Sequence, residues 1–180
     1  MKMERITLGG FAGSGKSTVA KIICDKLNYE FISVGNFTRD YAKKEFGVSI
    51  NEFQEMCKQN PELDRDIDRK FQALCNSTKR IVVDYRLGFR FVEDAFCVLL
   101  KVTDEVAFQR LQNAERGMEK TDAVSIQERN ENMRARFIEQ YNVDFSDERN
   151  YDLVVNTDLI SSEQVADMII DSFQRSLSLK

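Results

Sequence analysis

Short apolar runs alternate along the chain with longer segments in which apolar residues recur at helical spacing. The runs predict five strands, at about 5–9, 30–34, 80–84, 95–102 and 151–155. The segments between and after them predict helices at about 16–27, 36–45, 50–59, 61–76, 104–114, 122–141 and 162–175. Strands separated by helices indicate an α/β fold, with a parallel sheet covered by helices on both faces.

Polar residues at the starts of several segments support these helix boundaries. Asn36 and Ser49 are N-cap candidates, because a short polar side chain there accepts a hydrogen bond from a free backbone N–H group. Asn60, Pro61 and Glu62 place a cap, a proline at the first helical position and an acid at the positive end of the helix dipole. The 180 residues contain one proline and no repeat, which predicts a single domain.

Composition and charge narrow the possible functions. Hydrophobic residues make up 42% of the chain and charged residues 31%, as in a globular protein. The formal net charge is −4 and no stretch collects basic residues, which argues against a nucleic-acid polymer as partner. The chain has no histidine, so histidine general bases, Ser-His-Asp triads and histidine-ligated zinc are excluded.

The cysteines and the N-terminal residues provide predictions about the cellular compartment of the protein. The four cysteines form no C-x-x-C pair, which predicts buried thiols in a reducing compartment: Cys24, Cys57, Cys75 and Cys97. The first residues run into a strand and not into a signal sequence, and no apolar run approaches the roughly 20 residues of a membrane span. We therefore expect a cytoplasmic protein without membrane contact.

The segment GGFAGSGKST at residues 9–18 matches the phosphate-binding pattern G-x-x-x-x-G-K-[ST]. It lies between a predicted strand and a predicted helix, where glycines let backbone N–H groups turn toward phosphate oxygens at a helix N-terminus. Lys16 would reach the β- and γ-phosphates, and the Ser17 hydroxyl would hold Mg²⁺. The segment predicts a site for ATP and Mg²⁺ formed by Gly10, Phe11, Ala12, Gly13, Ser14, Gly15, Lys16, Ser17 and Thr18.

Asp84 ends an apolar strand that follows this loop in the chain. In P-loop enzymes an acid in this place orients the magnesium shell or accepts a hydrogen bond from the loop hydroxyl, here that of Ser17. We therefore expect Ser17 and Asp84 to form the metal site, with Asp84 and Lys16 also acting in catalysis.

Two other phosphate-binding classes do not fit. A dinucleotide fold requires G-x-G-x-x-G and an acid after the second strand, but Thr18 occupies the third glycine position and Ser33-Val-Gly35 follows that strand. A GTPase requires D-x-x-G after the third strand and an N-K-x-D motif. The chain has Asp84-Tyr-Arg-Leu87 and no N-K-x-D. A small kinase remains, with its phosphate acceptor facing the loop.

Five further segments carry a resemblance to a known family: ISVGNFTR (32–39), NPELDRDIDR (60–69), VDYRLG (83–88), YNVD (141–144) and YDLVVNT (151–157). In this order they resemble the motifs of compact, archaeal-type cytidylate kinases, which are P-loop nucleoside monophosphate kinases. The resemblance extends from about residue 5 to residue 170. It implies a five-stranded parallel sheet in the order 2-3-1-4-5, with helices on both faces and a helical lid.

The resemblance also implies roles for the matching side chains of an acceptor region at about residues 32–76. Arg39 would bind the phosphate of the acceptor, because its planar guanidinium matches two phosphate oxygens. Ser33 and Gly35 would shape the acceptor wall, and Arg86 would be a second phosphate or base contact. Four residues of one helix could reach the base or ribose, or could instead form a solvated, salt-bridged surface: Asp64, Arg65, Asp68 and Arg69.

In this family the segment at about residues 110–140 closes over the donor as a lid and supplies arginines to its phosphates. Five arginines lie there: Arg110, Arg116, Arg129, Arg134 and Arg136. Arg129 and Arg136 match the family positions and are expected to be catalytic, whereas Arg110 is a candidate contact to ATP. Pairing with nearby glutamates on the helix surface is the alternative for several of them.

The expected reaction is transfer of the γ-phosphoryl group of Mg·ATP to a pyrimidine nucleoside monophosphate, CMP or dCMP, by a monomer. One alternative is adenylate kinase or another small-molecule kinase of this fold. Another is an ATP-binding regulatory protein without acceptor chemistry. Two departures from the family pattern favour this regulatory alternative: Asn36, where the family has an acid, and Tyr85, where the family has glycine.

Overall fold

The computed structural model describes residues 4–113 and 123–178, without the side chains of residues 123–126 and 129. The strands are β1 (Arg5–Gly9), β2 (Glu30–Ser33), β3 (Ile81–Asp84), β4 (Ala95–Lys101) and β5 (Leu153–Asn156). The helices are α1 (Lys16–Leu27), α2 (Val34–Tyr41), α3 (Ile50–Gln59), α4 (Pro61–Ser77), α5 (Gly88–Phe91), α6 (Asp104–Asn113), α7 (Ala123–Tyr141) and α8 (Ser162–Ser178). A π-helical turn (Ala42–Phe46) follows α2, and a 3-10 turn (Glu148–Asn150) precedes β5.

The five strands form one parallel sheet in the order β2-β3-β1-β4-β5, which confirms the predicted topology. Asp84 at the end of β3 pairs in register with Leu8 of β1 on one side and with Ser33 of β2 on the other. The C-terminal ends of these three adjacent strands therefore meet at one edge of the sheet. In open α/β sheets ligands bind at this edge.

Helices cover both faces of the sheet, and a cluster of buried apolar side chains lies on each face. On one face α1 and α8 pack through Val19, Ile23 and Phe173 against a core that includes the buried Leu8 of β1. On the other face lies a second core cluster, to which α4 and α7 contribute. Its members include Phe71, Ile81, Val83, Tyr85, Phe137 and Phe145.

Most predicted boundaries are confirmed. Ser49 forms a capping box with Glu52, and the Asn60 side chain caps α4, whose first residue is Pro61. The prediction that Asn36 caps a helix is wrong. The helix starts two residues earlier, after Ser33, and Asn36 lies in its first turn, where its side chain accepts a hydrogen bond from Arg39.

Two features were not predicted. The short helix α5 brings Gly88 so close to β1 that a Cβ atom on Gly88 would lie 2.6 Å from the Cβ of Thr7. The strand β5 starts at Leu153, two residues later than predicted, and Tyr151 lies before it. Its hydroxyl donates a 2.6 Å hydrogen bond to the carbonyl of Phe145.

The cysteines are reduced thiols, and three of them are buried: Cys24, Cys75 and Cys97. Burial raises the pKa of Cys24 and of the half-buried Cys57 to about 11 each, and that of Cys75 to about 12. These thiols are therefore poor nucleophiles at neutral pH. Among the helices of the described residues, none is both long and apolar enough to span a lipid bilayer.

Candidate active site

The loop between β1 and α1 turns sharply at three glycines. Gly10, Gly13 and Gly15 have φ angles of +133°, +77° and +88°, which side chains of L-residues rarely allow. A Cβ atom on Gly10 would lie 2.3 Å from the carbonyl oxygen of Leu100, and one on Gly13 would lie 2.8 Å from the Cα of Ala107. The glycines thus allow the loop to turn and allow β4 and α6 to pack closely against it.

The Lys16 side chain folds over this loop. Its ammonium group donates to the carbonyls of Gly10 at 2.9 Å and Phe11 at 2.8 Å, and only 8% of the residue is exposed. Ser14 is buried and donates to the carbonyl of Phe11 at 2.9 Å. The charge of Lys16 is therefore held at the centre of the loop, where a bound phosphate would lie.

The remaining residues of the motif lie around this centre. The Phe11 ring packs edge-on against Phe145, with 4.9 Å between the ring centroids. Ala12 is half-buried, and Thr18 is exposed in the first turn of α1. Gly15 occupies the N-cap position of α1, so the free N–H groups of that helix begin at the loop.

The Ser17 hydroxyl donates to the carboxylate of Asp84 at 2.8 Å. Both side chains offer oxygen ligands, which are the ligands that Mg²⁺ prefers in proteins. In the part of the chain that the structure describes, no group of three or more histidine, cysteine or acidic residues is placed to hold a metal. The pair therefore fits Mg²⁺ only if nucleotide phosphates and water supply the remaining ligands, as is usual for this ion.

Arg110 of α6 lies on the donor side of the loop. Its guanidinium donates to the carbonyl of Gly13 at 3.3 Å, and to the side-chain and backbone oxygens of Thr157 at 2.9 Å and 2.5 Å. Arg110 therefore ties α6 and the end of β5 to the phosphate loop. A direct contact between Arg110 and ATP stays a prediction.

On the other side of Asp84, three predicted acceptor residues lie together. Ser33 ends β2 directly beside Asp84, and Gly35 follows in the first turn of α2. The Arg39 guanidinium lies over Gly35, where a Cβ atom would be 3.6 Å from its Nη2. Arg39 donates to the Asn36 side chain at 2.6 Å and is exposed, as a phosphate ligand in an open cleft would be. Arg86 follows β3. Burial raises the pKa of Tyr151, and the nearby charge of Arg86 opposes part of that rise, so Arg86 lies near Tyr151.

The four candidates on α4 separate into two pairs. Arg65 and Arg69 are exposed, and they pair with acids of their own helix, Glu62 at 2.6 Å and Asp66 at 3.8 Å. The structure therefore places both arginines on the solvated, salt-bridged surface. Asp64 and Asp68 instead face α7.

Asp68 is the more enclosed of the two acids. It accepts a short hydrogen bond from the hydroxyl of Tyr141, and burial raises its pKa although that hydrogen bond opposes the shift. Asp64 accepts a longer hydrogen bond, 3.4 Å, from Gln140. The end of α7 thus contacts α4 through two adjacent residues.

The lid arginines are only partly within the described residues. Arg116 lies outside them, as does the side chain of Arg129, so their roles stay predictions. Arg134 pairs with Asp144 and is held by that pair on the surface. Burial raises the pKa of Asp68, and the charge of Arg136 opposes part of that rise, so Arg136 lies near Asp68.

Three features of the site do not follow from the sequence: two contacts between distant residues and the burial of one side chain. The Tyr141 hydroxyl reaches Asp68 across 73 positions of sequence, and Thr157 receives Arg110 across 47. Tyr85 was recognised as a departure from the family pattern, but its burial was not: only 4% of the residue is exposed. Tyr141 and Thr157 belong to the segments YNVD and YDLVVNT, and these motifs are the only signal for the two contacts in the sequence.

Comparison with known proteins agrees with this geometry. The chain matches the model of the cytidylate kinase-like family over residues 5–159. It is 31% identical to a cytidylate kinase of Methanobrevibacter smithii, over 94% of this chain and 98% of that protein. Its fold is similar to that of a shikimate kinase from Acinetobacter baumannii, with a TM-score of 0.64 at 17% identity over 99% of this chain and 95% of that one.

A further relative has a different name. The chain is 55% identical, over 96% of its length, to part of an S-adenosylmethionine-dependent nucleotide dehydratase of Lacinutrix mariniflava. The chain spans about a third of that protein, 36% of its length. The matched residues 5–159 include the phosphate loop, Asp84 and the acceptor side. The chain belongs to the cytidylate kinase-like family.

Proposed function

We propose that the protein transfers the γ-phosphoryl group of Mg·ATP to a pyrimidine nucleoside monophosphate, CMP or dCMP. The observation that carries the proposal is the pairing of Ser33 with Asp84 at the edge of the sheet. Through Asp84 it brings Ser33, Gly35 and Arg39, the proposed acceptor side, close to the loop with Lys16 and Ser17, the proposed donor side, and this proximity supports the proposal. The family and the fold support a nucleotide kinase. The identity of the acceptor, CMP or dCMP, is what we propose beyond that.

In the proposed reaction an oxygen of the acceptor phosphate forms a bond to the γ-phosphorus. The bond from that phosphorus to the β-bridging oxygen breaks, which yields ADP and a nucleoside diphosphate. Phosphoryl transfer needs positive charge and alignment more than a covalent catalyst. Lys16 supplies charge at the donor phosphates and Arg39 at the acceptor phosphate. Mg²⁺ held near Ser17 and Asp84 would neutralise further charge as it develops.

The test is a panel of nucleoside monophosphates with Mg·ATP, followed by ADP release. CMP or dCMP should be the best acceptor, and an equal or better rate with AMP would overturn the pyrimidine assignment in favour of adenylate kinase. ATP binding without turnover of any acceptor would favour the regulatory alternative.

Two matched lysines of α1 provide a control. Lys16→Ala should abolish transfer, because Lys16 lies in the phosphate loop. Lys21→Ala should leave transfer unchanged, because Lys21 is exposed on the same helix. Retained activity in Lys16→Ala would remove the loop from the mechanism.

A second candidate acceptor follows from the 55%-identical relative, whose name describes a nucleotide dehydratase. The kinase would then act on a nucleotide that such a dehydratase uses or produces. The same panel, extended with a nucleoside monophosphate that has lost the elements of water, tests this candidate. A kcat/KM for that compound above the value for CMP would favour it.

A further inference from the structure

A buried threonine lies next to the phosphate loop. Thr157 is the first residue after β5, and only 2% of it is exposed. Its backbone N–H group donates to the carbonyl of Lys101, the last residue of β4, at 2.9 Å. Because β4 and β5 are paired strands, this hydrogen bond continues their ladder and fixes the position of Thr157.

The side-chain hydroxyl of Thr157 connects three neighbours. It accepts a hydrogen bond from Arg110 of α6 at 2.9 Å. As a donor, it lies 3.0 Å from the carbonyl oxygen of Lys101 and 3.4 Å from that of Ser14. A hydroxyl has one proton, so at any moment it donates to one of these two carbonyls. The hydroxyl thus links β4 and α6 to the phosphate loop.

Arg110 makes a second connection between Thr157 and the loop. It donates to the backbone carbonyl of Thr157 at 2.5 Å and to the carbonyl of Gly13 at 3.3 Å. The helix α6 lies against the loop here, since a Cβ atom on Gly13 would be 2.8 Å from the Cα of Ala107. Two consecutive carbonyls of the loop, at positions 13 and 14, therefore face this pair of side chains.

Contacts to these carbonyls set the direction of backbone N–H groups in the loop. A peptide unit is planar and trans, so its C=O and N–H bonds point in opposite directions. A Ser14 carbonyl that is held toward Thr157 therefore turns the N–H group of Gly15 away from Thr157. Gly15 is the N-cap of α1, and free N–H groups at the start of a helix bind phosphate oxygens. The contacts on the carbonyl side of the loop thus align the N–H groups that would hold a phosphate.

We propose that Thr157 is a positioning residue of the donor site, which acts on the triphosphate of ATP through the loop carbonyls and Arg110. The inference rests on the proposed kinase activity, because it concerns the same ATP site. When the Thr157 hydroxyl is removed, Arg110 loses an acceptor and Ser14 loses a donor, so the loop gains conformational freedom. The triphosphate then has to order the loop when it binds, which lowers the affinity.

The first test is calorimetric binding of Mg·ATP to the intact chain, without an acceptor. Thr157→Val keeps the shape of the side chain and removes the hydroxyl, so the Kd for Mg·ATP should rise about tenfold, as for one lost hydrogen bond. Thr157→Ser retains the hydroxyl and should bind Mg·ATP nearly as wild type does. Thr7→Val is the matched control and should leave the Kd unchanged, because Thr7 is equally buried and its hydroxyl makes no hydrogen bond to the described loop residues.

A second ligand distinguishes positioning of the loop from direct contact with the nucleoside part of ATP. Inorganic tripolyphosphate with Mg²⁺ carries three linked phosphates without base or ribose, and its affinity can be measured by displacement of Mg·ATP. If Thr157 acts through the loop, Thr157→Val should weaken the binding of tripolyphosphate and of Mg·ATP by a similar factor. A loss of affinity for Mg·ATP alone would overturn the inference, because Thr157 would then act on the base or ribose.

Turnover gives an independent measurement. With the best acceptor, the KM for ATP should rise in Thr157→Val while the KM for the acceptor stays unchanged, because the contacts of Thr157 are to the donor loop. A rise in the acceptor KM by the same factor would contradict a role confined to the donor side. If Thr157→Val does not fold, Thr157→Ala and Thr157→Ser provide the same comparison, because these two variants differ only in the hydroxyl.

The outcomes are distinguishable from those of the proposed function. A wild-type protein that binds Mg·ATP but phosphorylates no nucleoside monophosphate overturns the proposed function, and the binding measurements still test the inference. A wild-type protein that does not bind Mg·ATP overturns both. An unchanged Kd for Mg·ATP in Thr157→Val, or equal losses in Thr157→Val and Thr7→Val, overturns the inference alone.

Discussion

The hydrogen bond between Ser17 and Asp84 links the phosphate loop to the end of β3, and its removal gives the sharpest test of the donor site. The bond is 2.8 Å long and ends on a carboxylate. Hydrogen bonds to charged groups contribute about 1.5–3 kcal/mol, which corresponds to about a 10- to 150-fold change in rate. We therefore expect Ser17→Ala and Asp84→Asn each to lower kcat/KM for ATP within this range.

The two changes should also depend on one another. Because each removes the same contact, the double variant should be little worse than the more damaged single variant, with an interaction energy of about 1.5–3 kcal/mol. Both single variants should need more Mg²⁺ for half-maximal turnover, since the pair offers the protein's oxygen ligands at this site.

The assay is ADP release at saturating CMP while ATP and Mg²⁺ are varied. Ser77→Ala, which removes an exposed hydroxyl at the far end of α4, is the control and should behave as wild type. Additive losses, with an interaction energy below about 0.5 kcal/mol, would refute the coupling of the two residues. An unchanged Mg²⁺ requirement would refute their role at the metal.

Three other changes test stability. Gly13→Ala should lower the free energy of unfolding in urea by more than about 1 kcal/mol, because its φ is +77° and a Cβ atom would meet Ala107 at 2.8 Å; an unchanged midpoint would contradict this. Asp68→Asn should raise the melting temperature at pH 7, because burial raises the pKa of Asp68 and its ionisation therefore costs stability as pH rises from about 4 through that pKa. The gain in melting temperature should vanish in acid, where the wild-type carboxyl group is protonated. A lower melting temperature of the variant at pH 7 would contradict this reasoning. Arg134→Ala should cost little stability, because the Arg134 side chain of the pair is exposed. The Arg134 hydrogen bond lowers the pKa of Asp144 to about 2, so the difference in stability from wild type should disappear as pH falls from about 4 to below 2. A difference that persists there would refute the ion pair as its source.

The α4 helix shows how far the spacing of residues in the sequence can predict which side chains belong to a site. Its start at Asn60 and Pro61 follows from local chemistry and was predicted correctly. The sequence motif makes four residues of this helix equal candidates for the acceptor site, because a helical pattern does not show which face another element covers. These residues are Asp64, Arg65, Asp68 and Arg69. The position of α7, which brings Tyr141 to Asp68, makes the distinction.

The sequence by itself determined the features that depend on short-range geometry. The glycines, Lys16 and Ser17 lie within one loop and one helix turn, so their spacing suffices to predict a phosphate site. The alternation of strands and helices likewise indicated the parallel sheet, and with the family resemblance it gave the strand order.

Tertiary structure decided every contact between distant parts of the chain. Ser17 and Asp84 are 67 residues apart, and Tyr141 and Asp68 are 73 apart. Such contacts are set by how elements pack, and packing depends on the side chains of many elements at once. The sequence therefore identified the candidate groups for phosphate binding, and the packing of α4 against α7 decided which of the candidate acids contacts Tyr141.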